Sequence, residues 1–422
     1  MLNSQKCVSS KNGEGNFQRV CYVGSLPVEE TTASMMFLYR LLETLPPDCV
    51  RIIHTKDDIR VADRPDRRLP RVRYDQLLPL FRRGWYFARM RFPRLFWAML
   101  ETHSWWQARQ AAKALGAFRP DAIVTIHEQF GWLTAAKLAR RLHVPLHLLL
   151  HDNWFRNIPM ADKLKLRFEQ ASASVYRQAK SRLCISPYME EEYGRRYGVP
   201  GTVLYPFRGA NTPRYDSPPE SLAWHTAEPL RVAYAGNVFH QGYWEALRHL
   251  AVALDSIGGQ LLIFGQSRED VVRNGLDLPN VFAQGYVPHL IDQIREHAHV
   301  LFLPMTFGAP EKLNMQISFP SKLAEYTAAG LPLLVYGPEY CSAVRWAREN
   351  PDSAVVATQE GQESLKSALN SFSQPEHRRR LGLRALELGN QYFSFEAAKD
   401  VFFHAIHSRK QRVAAPSATH AF

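Results

Sequence analysis

Short apolar runs of strand length alternate with amphipathic, helix-like segments along nearly the whole chain. In the first half, helical stretches such as 32–45 and 132–143 separate these runs. Continuous apolar runs between helices are typical of parallel strands that are buried on both faces. The pattern therefore predicts a doubly wound α/β sheet with strands at 19–25, 50–55, 121–127, 145–152 and 182–187.

The alternation restarts after a segment rich in proline, serine and threonine. A chain of 422 residues is too long for one ordinary core, so the restart predicts a second Rossmann-like sheet. Two such domains leave a cleft between their strand carboxyl ends, where open α/β sheets bind ligands. We predict a disordered tail at 1–16, an N-terminal Rossmann-like domain at 17–208, a linker at 209–228, a C-terminal Rossmann-like domain at 229–390, and a C-terminal helix and tail at 391–422.

The stretch SFPSKLAEYTAAGLPLL, at 318–334, places a lysine in the first turn of a short predicted helix. Ser318 or Ser321 is expected to cap this helix. Lys322 then lies at the positive end of the helix dipole, which costs about 0.3–1 kcal/mol unless an anion binds there. Two explanations fit these residues: a bound phosphate, or an i,i+3 ion pair between Lys322 and Glu325.

Four stretches of the second half resemble, in order and spacing, the two-domain glycosyltransferases of the GT-B architecture, most closely family 4. They are LRVAYAGNVFHQG, GQLLIFGQ, NVFAQGYVPHLIDQIREHAHVLFLP and FPSKLAEYTAAGLPLL. The resemblance implies transfer of a sugar from a nucleotide-sugar donor, UDP- or GDP-linked, to a hydroxyl of a glycan or lipid-linked acceptor in polysaccharide or glycolipid synthesis. It also implies a retaining reaction with no cofactor and no metal, and nothing in the chain resembles the Asp-x-Asp site of metal-dependent transferases.

By the same resemblance, the helix that begins near Ser321 points at the donor diphosphate. Ser321 and Lys322 would bind phosphate, and Lys322 would act in catalysis by stabilising the leaving group. Glu325 would accept hydrogen bonds from both ribose hydroxyls, because a carboxylate offers an oxygen to each. The family carries a second glutamate eight residues earlier, where this chain has Ile317, and that departure leaves the donor sugar open.

The turn after the first strand of the second half is the other expected donor contact. Gly236 would let a phosphate approach the backbone closely. The family places an arginine and a lysine here, whereas this chain has Asn237 and Gln241, which leaves His240 as the cationic residue of the turn. Tyr286, in the later GYVP stretch, would meet the nucleotide base, although a packing role fits it equally well.

Acids and histidines follow the predicted strands on the first-half side of the cleft. Glu30 would contact donor or acceptor, unless it only favours the start of the next helix through the dipole. His127 ends one strand. His151 and Asp152 end the next and resemble the family's cleft histidine and acid, so we expect them among the catalytic groups. Such a histidine can bind the donor sugar, or act as general base in an inverting enzyme; a purely structural role stays open for both histidines.

Most of the net charge of +12 comes from one basic aromatic insert at 60–110. Residues 60–94 contain eleven arginines, no lysine and three aspartates. Basic and aromatic residues alternate at 80–97, and a helix there would suit an anionic membrane surface. The alternatives to membrane binding are a solvated or acceptor-facing role for the segment, or binding of nucleic acid. No nucleic-acid-binding module surrounds the segment. On one continuous helix the apolar face would contain Phe81, Trp85, Ala88 and Phe92.

Five sparse cysteines without metal-ligand spacing fit buried thiols in a reducing compartment. No apolar run reaches the ~20 residues of a membrane span, and 1–16 lacks the apolar core of a signal peptide. We therefore expect a cytoplasmic protein, peripheral at the inner membrane face. Two other classes stay open: a GT-B sugar-nucleotide epimerase, and a non-catalytic relative that binds a partner or a membrane.

Overall fold

Two parallel sheets form the core of the protein, as the alternating pattern predicts. The computed structural model describes residues 17–55, 64–79, 85–153, 158–223, 228–238, 241–308 and 312–407. Seven strands within these ranges form the first sheet: β1 (Val20–Gly24), β2 (Val50–His54), β3 (Arg73–Gln76), β4 (Ala122–Ile126), β5 (Leu146–Leu150), β6 (Ser181–Cys184) and β7 (Thr202–Val203).

The second sheet has six strands in the described part of the chain. Both sheets are parallel throughout, with the orders β3-β2-β1-β4-β5-β6-β7 and β10-β9-β8-β11-β12-β13. The strand order reverses between β1 and β4 and again between β8 and β11, so each sheet has a crevice beyond its strand carboxyl ends. The strands of the second sheet are β8 (Arg231–Ala235), β9 (Gln260–Phe264), β10 (Val281–Gly285), β11 (Val300–Pro304), β12 (Leu333–Tyr336) and β13 (Val355–Ala357).

Helices cover the faces of both sheets. The described helices of the first domain are α1 (Ala33–Leu42), α2 (Trp85–Arg91), α3 (Pro93–Leu115), α4 (Gly131–Leu142), α5 (Asp162–Gln178) and α6 (Pro187–Tyr197). Those that follow are α7 (Gln241–Asp255), α8 (Arg268–Arg273), α9 (Leu290–His297), α10 (Lys312–Ile317), α11 (Ser321–Tyr326), α12 (Ser342–Glu349), α13 (Gln362–Asn370), α14 (Pro375–Tyr392) and α15 (Phe395–His407).

The central strands are buried on both faces, which explains why they lack an apolar–polar alternation. Every residue of β1, β4, β5 and β11 is buried. Val20 of β1 aligns with Val50 on one side and Ala122 on the other. Continuous β-branched and leucine-rich runs are therefore needed here, because helices pack against both sides of each sheet.

The basic insert corrects two expectations. Part of it belongs to the first sheet, because Arg73–Gln76 forms the edge strand β3 beside β2. The expected single helix is also broken, since α2 ends at Arg91 and α3 begins at Pro93. Phe92 between them has φ −126° and ψ 56°, as a residue before proline disfavours helical geometry. Phe81 and Arg82 lie outside the described residues.

The C-terminal end returns to the first domain. Helix α15 packs against β6, and the side-chain amide of Gln18 donates a hydrogen bond to the carbonyl of Ile406 at 3.1 Å. The predicted tails at 1–16 and 408–422 lie outside the described residues. Within the described ranges, no helix is both long enough and apolar enough to cross a membrane.

Candidate functional site

Three adjacent strands of the second sheet end in glycines that share a left-handed backbone. Gly236, Gly265 and Gly285 follow or end β8, β9 and β10 with φ values of +117°, +83° and +65°. The Gly265 amide donates to the Gly285 carbonyl at 2.7 Å, and a Cβ at Gly265 would lie 3.3 Å from the Gly236 Cα. These residues, which we call the glycine floor, form a surface of bare backbone at the strand carboxyl ends.

Lys322 of α11 lies directly over this floor. A Cβ on Gly236 would come within 2.8 Å of the Lys322 Cε and 3.1 Å of its Nζ. The ammonium donates one long hydrogen bond, of 3.4 Å, to the Asn237 carbonyl and lies 5.3 Å from the centre of the Tyr234 ring. Burial lowers the pKa of Lys322. A partly buried ammonium with so few acceptors is suited to bind an anion on the floor.

A buried tyrosine fixes α11 against the second sheet. The Tyr326 hydroxyl accepts a hydrogen bond from the Ala235 amide at 2.8 Å and donates one to the Ala235 carbonyl at 3.1 Å. Tyr326 is four residues after Lys322, so both side chains project from the same face of the helix. This contact therefore holds Lys322 next to the glycine that follows Ala235.

The cap of α11 differs from the expectation. Pro320 is the N-cap residue and no side chain caps the helix. Ser321 is the exposed first residue of the helix, while the Ser318 hydroxyl donates across the cleft to Asp152 Oδ1 at 2.6 Å. The predicted capping serine is thus used to join the two domains.

Asn237 and Tyr286 come together beside Lys322. The Tyr286 side chain is 81% exposed, and its hydroxyl donates to Asn237 Oδ1 at 2.9 Å. The Tyr234 hydroxyl donates to the Asn237 carbonyl at 2.9 Å. The structure therefore groups the predicted Gly236, Asn237, Tyr286 and Lys322 around one spot; His240 lies outside the described residues.

Glu325 pairs across the cleft and not within its helix. Its Oε1 lies 3.7 Å from Nη2 of Arg40, on α1 of the first domain. No direct ion pair between Glu325 and Lys322 forms among the described residues, although the Glu325 charge raises the pKa of Lys322 against the larger effect of burial. The Glu325 side chain is 48% exposed, which leaves it accessible to a ligand in the cleft.

The residue that replaces the family's other glutamate is part of the domain contact. Ile317 is 3% exposed, and its carbonyl accepts a hydrogen bond from the Ser186 hydroxyl of the first domain. Nearby, the Asn153 amide donates to Asn314 Oδ1 at 3.3 Å. An apolar residue therefore fits this position because the side chain packs between the domains.

His151 lies at the opposite wall of the cleft, as predicted from its strand. Its ring packs edge-on against Phe37, with ring centroids 4.7 Å apart. Burial lowers the pKa of His151 to about 4, so the imidazole is neutral near pH 7. Asp152, the next residue, is exposed and holds Ser318.

His127 lies in the core, in contrast to its expected place at the cleft. Its side chain is 2% exposed, its Nε2 lies 2.5 Å from the Ser172 hydroxyl, and its ring packs on Trp132 at 4.6 Å. Burial lowers its pKa to about 4. Gln129, at φ +50°, turns the chain just afterwards, and it is Glu128 that meets α1, by accepting a hydrogen bond from Ser34 at 3.3 Å.

Glu30 is exposed, and its neighbour carries the organised contacts of the loop. Glu29 is fully buried, accepts a hydrogen bond from Arg68 Nε at 2.9 Å and another from the Arg64 amide at 3.1 Å. The Glu30 amide donates to the Arg67 carbonyl at 3.1 Å. Glu29 thus ties the loop to the insert, and Glu30 faces solvent.

Comparisons with known proteins find similarity in sequence and in fold. Residues 50–207 match the sequence profile of Glycosyltransferase Family 4. HepE from Anabaena, solved with UDP and glucose, superimposes with a TM-score of 0.60 at 12% identity, covering 93% of this chain and 100% of that one. An α,α-trehalose-phosphate synthase (UDP-forming) from Burkholderia vietnamiensis gives a TM-score of 0.61 at 14% identity, covering 93% and 99%.

A glycosyltransferase from Rickettsia africae also shares the fold, with a TM-score of 0.61 at 12% identity over 93% of this chain and 100% of that one. The chain therefore has the GT-B fold, and its first domain is similar to glycosyltransferase family 4. No curated protein matches its sequence significantly. Within the described residues, no group of three or more His, Cys, Asp or Glu side chains is arranged to hold a metal ion.

Sequence reasoning missed three residues of the candidate site. Gly265 and Gly285 each end an apolar run, in LLIFG and VFAQG, and a glycine after a predicted strand is a usable signal for a backbone ligand site. Arg40 had no such signal. It lies within an amphipathic helix, where a single arginine most often faces solvent, and only the domain arrangement brings it to Glu325.

Proposed function

We propose that this protein is a glycosyltransferase that uses a UDP-sugar donor and transfers the sugar to a hydroxyl of a glycan or lipid-linked acceptor. HepE was solved with UDP, and the Burkholderia enzyme is UDP-forming. The fold of those proteins and the profile match of the first domain support a nucleotide-sugar donor for this chain. We propose UDP over GDP because two of the three structural relatives named above are described with UDP.

The observation that carries the proposal is Lys322 above the glycine floor. Phosphate oxygens can approach backbone closely only where no Cβ intervenes, and the floor supplies three such positions in a row. Lys322 supplies the compensating positive charge. Glu325 lies one helical turn further on, at a distance that suits the ribose of the same nucleotide.

In the proposed reaction the bond between the sugar's anomeric carbon and the diphosphate oxygen breaks, and UDP leaves with the bonding electron pair. Lys322 stabilises the charge that develops on the diphosphate. The acceptor hydroxyl bonds to the anomeric carbon on the face that UDP leaves, and its proton passes to the leaving phosphate oxygen. With a pKa of about 4, His151 is a weak base, which fits a retaining reaction without a separate protein base.

Calorimetric titration with UDP, GDP and ADP tests the donor proposal. We expect UDP to bind, and Lys322→Ala to weaken it by about 10- to 100-fold, the equivalent of a lost charge-assisted hydrogen bond. Glu325→Ala should weaken UDP but not inorganic pyrophosphate, which has no ribose. Lys366→Ala, which removes an exposed lysine of the same domain, is the matched control. Absence of nucleotide binding by the wild-type protein would refute the proposal.

We also propose that the acceptor is reached at an anionic membrane surface. Around the break between α2 and α3, the apolar side chains of Met90, Phe92 and Leu95 are 44%, 51% and 59% exposed. Arg91 and Arg94 beside them are exposed as well. Apolar side chains between cationic ones fit the headgroup region of an anionic bilayer.

Vesicle co-sedimentation tests this membrane proposal. Vesicles with anionic lipid should bind the protein, neutral vesicles should bind it weakly, and the double variant Phe92→Ser/Leu95→Ser should lose most binding. The control is Leu383→Ser, because Leu383 is 43% exposed on α14 of the other part of the molecule. Equal binding of neutral and anionic vesicles would count against the proposal, as would full binding by the double variant.

A further inference from the structure

The carboxylate of Glu325 is held by the domain that does not carry it. Arg40 Nη2 lies 3.7 Å from Glu325 Oε1, with the Arg40 side chain 22% exposed. The second terminal nitrogen of Arg40 donates to the carbonyl of Phe207 at 2.9 Å. Arg40 therefore joins α1, the chain segment that leaves the first domain, and the carboxylate of α11.

The same segment also holds the helix on both sides of Glu325. Arg208, next to Phe207, donates to the Ala324 carbonyl at 3.1 Å and to the Thr327 hydroxyl at 3.0 Å. Arg208 is 6% exposed, and burial lowers its pKa to about 10, which leaves it charged near pH 7. Arg208 and Arg40 therefore hold the same helix: Arg208 fixes its backbone, and Arg40 fixes the side chain that it presents to the cleft.

The distance within the ion pair matters for a ligand. At 3.7 Å, Arg40 attracts Glu325 Oε1 without the short hydrogen bond that would saturate it. A carboxylate has about four acceptor positions, so most of them stay available on the half-exposed side chain. An ion pair of this kind orients the carboxylate without blocking it.

We propose that Arg40 is a positioning residue for the donor's ribose: it holds the Glu325 carboxylate in the orientation that accepts both hydroxyls of a vicinal diol. The inference rests on the proposed donor function and deepens it. Recognition of the ribose then depends on both domains, because one supplies the carboxylate and the other orients it. A donor that lacks the diol gains nothing from Arg40.

The test compares UDP with 2′,3′-dideoxy-UDP, which keeps the base and the diphosphate but lacks the diol. Arg40→Ala should weaken UDP about tenfold, and should change the affinity for the dideoxy nucleotide less than about twofold. Arg40→Lys keeps the charge and should recover part of the loss. In a Glu325→Ala background, Arg40→Ala should have no further effect, since the carboxylate that Arg40 orients is gone.

Arg195→Ala is the matched control, because Arg195 is an exposed arginine of the first domain that pairs with Glu192 on its own helix. If Arg40→Ala weakens both nucleotides equally, Arg40 is merely structural and the inference is overturned. Additive losses in the double variant, or no loss in the single one, overturn it as well. If the wild-type protein binds no nucleotide, the proposed donor function falls together with this inference; if UDP binding depends on Glu325 but not on Arg40, only this inference falls.

Discussion

Replacing Gly236 by alanine tests the glycine floor directly. The new Cβ would lie 2.8 Å from the Lys322 Cε, closer than carbon atoms approach without displacement, and Gly236 has φ +117°. An L-residue in such backbone costs about 1–3 kcal/mol. At about 2–4 °C per kcal/mol, the thermal midpoint of unfolding should fall by several degrees.

The affinity for UDP should fall by more than the stability alone explains. The methyl group would occupy the space of a phosphate oxygen and push Lys322 aside, so we expect at least about tenfold weaker binding, or ~1.4 kcal/mol. Gly258→Ala is the control, because Gly258 also has a positive φ, +68°, but a Cβ there meets nothing within 4 Å. It should lower the thermal midpoint without changing the affinity for UDP.

A double-mutant cycle separates the two effects in Gly236→Ala. If the clash with Lys322 contributes to the lost stability, adding Lys322→Ala should restore part of it, because the shortened side chain no longer meets the methyl group. Calorimetry and thermal unfolding on the four proteins give both readouts. UDP binding by Gly236→Ala that equals binding by Gly258→Ala would refute a phosphate site on the glycine floor.

Three further outcomes are expected. Burial lowers the pKa values of His127 and His147 to about 4, below the unfolded value near 6.5, so the unfolded chain binds more protons as pH falls from 6.5 to 4. The free energy of unfolding, measured in urea, should therefore drop by about 1–2 kcal/mol per histidine between pH 7 and pH 5. In His147→Asn this drop should be smaller by the contribution of one histidine. A free energy of unfolding that does not change with pH would contradict the prediction. Tyr326→Phe leaves the buried Ala235 amide without its acceptor and should cost about 1–3 kcal/mol in the same assay, whereas an unchanged midpoint would show that the contact is dispensable. Lys137→Met removes the ammonium that joins α3 and α4 and should lower the thermal midpoint by several degrees, while an equal or higher midpoint would mean that apolar packing replaces the ion pair fully.

The fold was predictable because its signal is local. Strands buried on both faces need continuous apolar runs, and helices between them need amphipathic segments, so the order of elements can be obtained from the chain alone. The edge strand β3 was not predicted in this way. Its sequence, Arg73–Gln76, is polar, since an edge strand with exposed side chains needs no apolar run.

The position of a residue that follows a strand is predictable from the sequence where the backbone decides the geometry. It is less predictable where the direction of the side chain decides it. Gly236 and Lys322 lie together because a strand end and a helix start meet at the sheet's carboxyl edge. His127 and His151 follow neighbouring strands, yet one ring packs in the core and the other at the cleft wall. A turn with positive φ at Gln129 follows His127, and no local sequence pattern indicates which way either ring faces.

Local sequence patterns were enough to predict two α/β sheets, their order along the chain, and a donor-side turn and helix that resemble family 4. Each of these depends on contacts between residues close in sequence or on a periodic burial pattern. The tertiary structure alone decided that Glu325 pairs with Arg40, that Ser318 binds Asp152, and that Ile317 packs in the domain contact. These partners are between 131 and 285 residues apart and lie in different domains, so only the packing of one domain against the other brings them together.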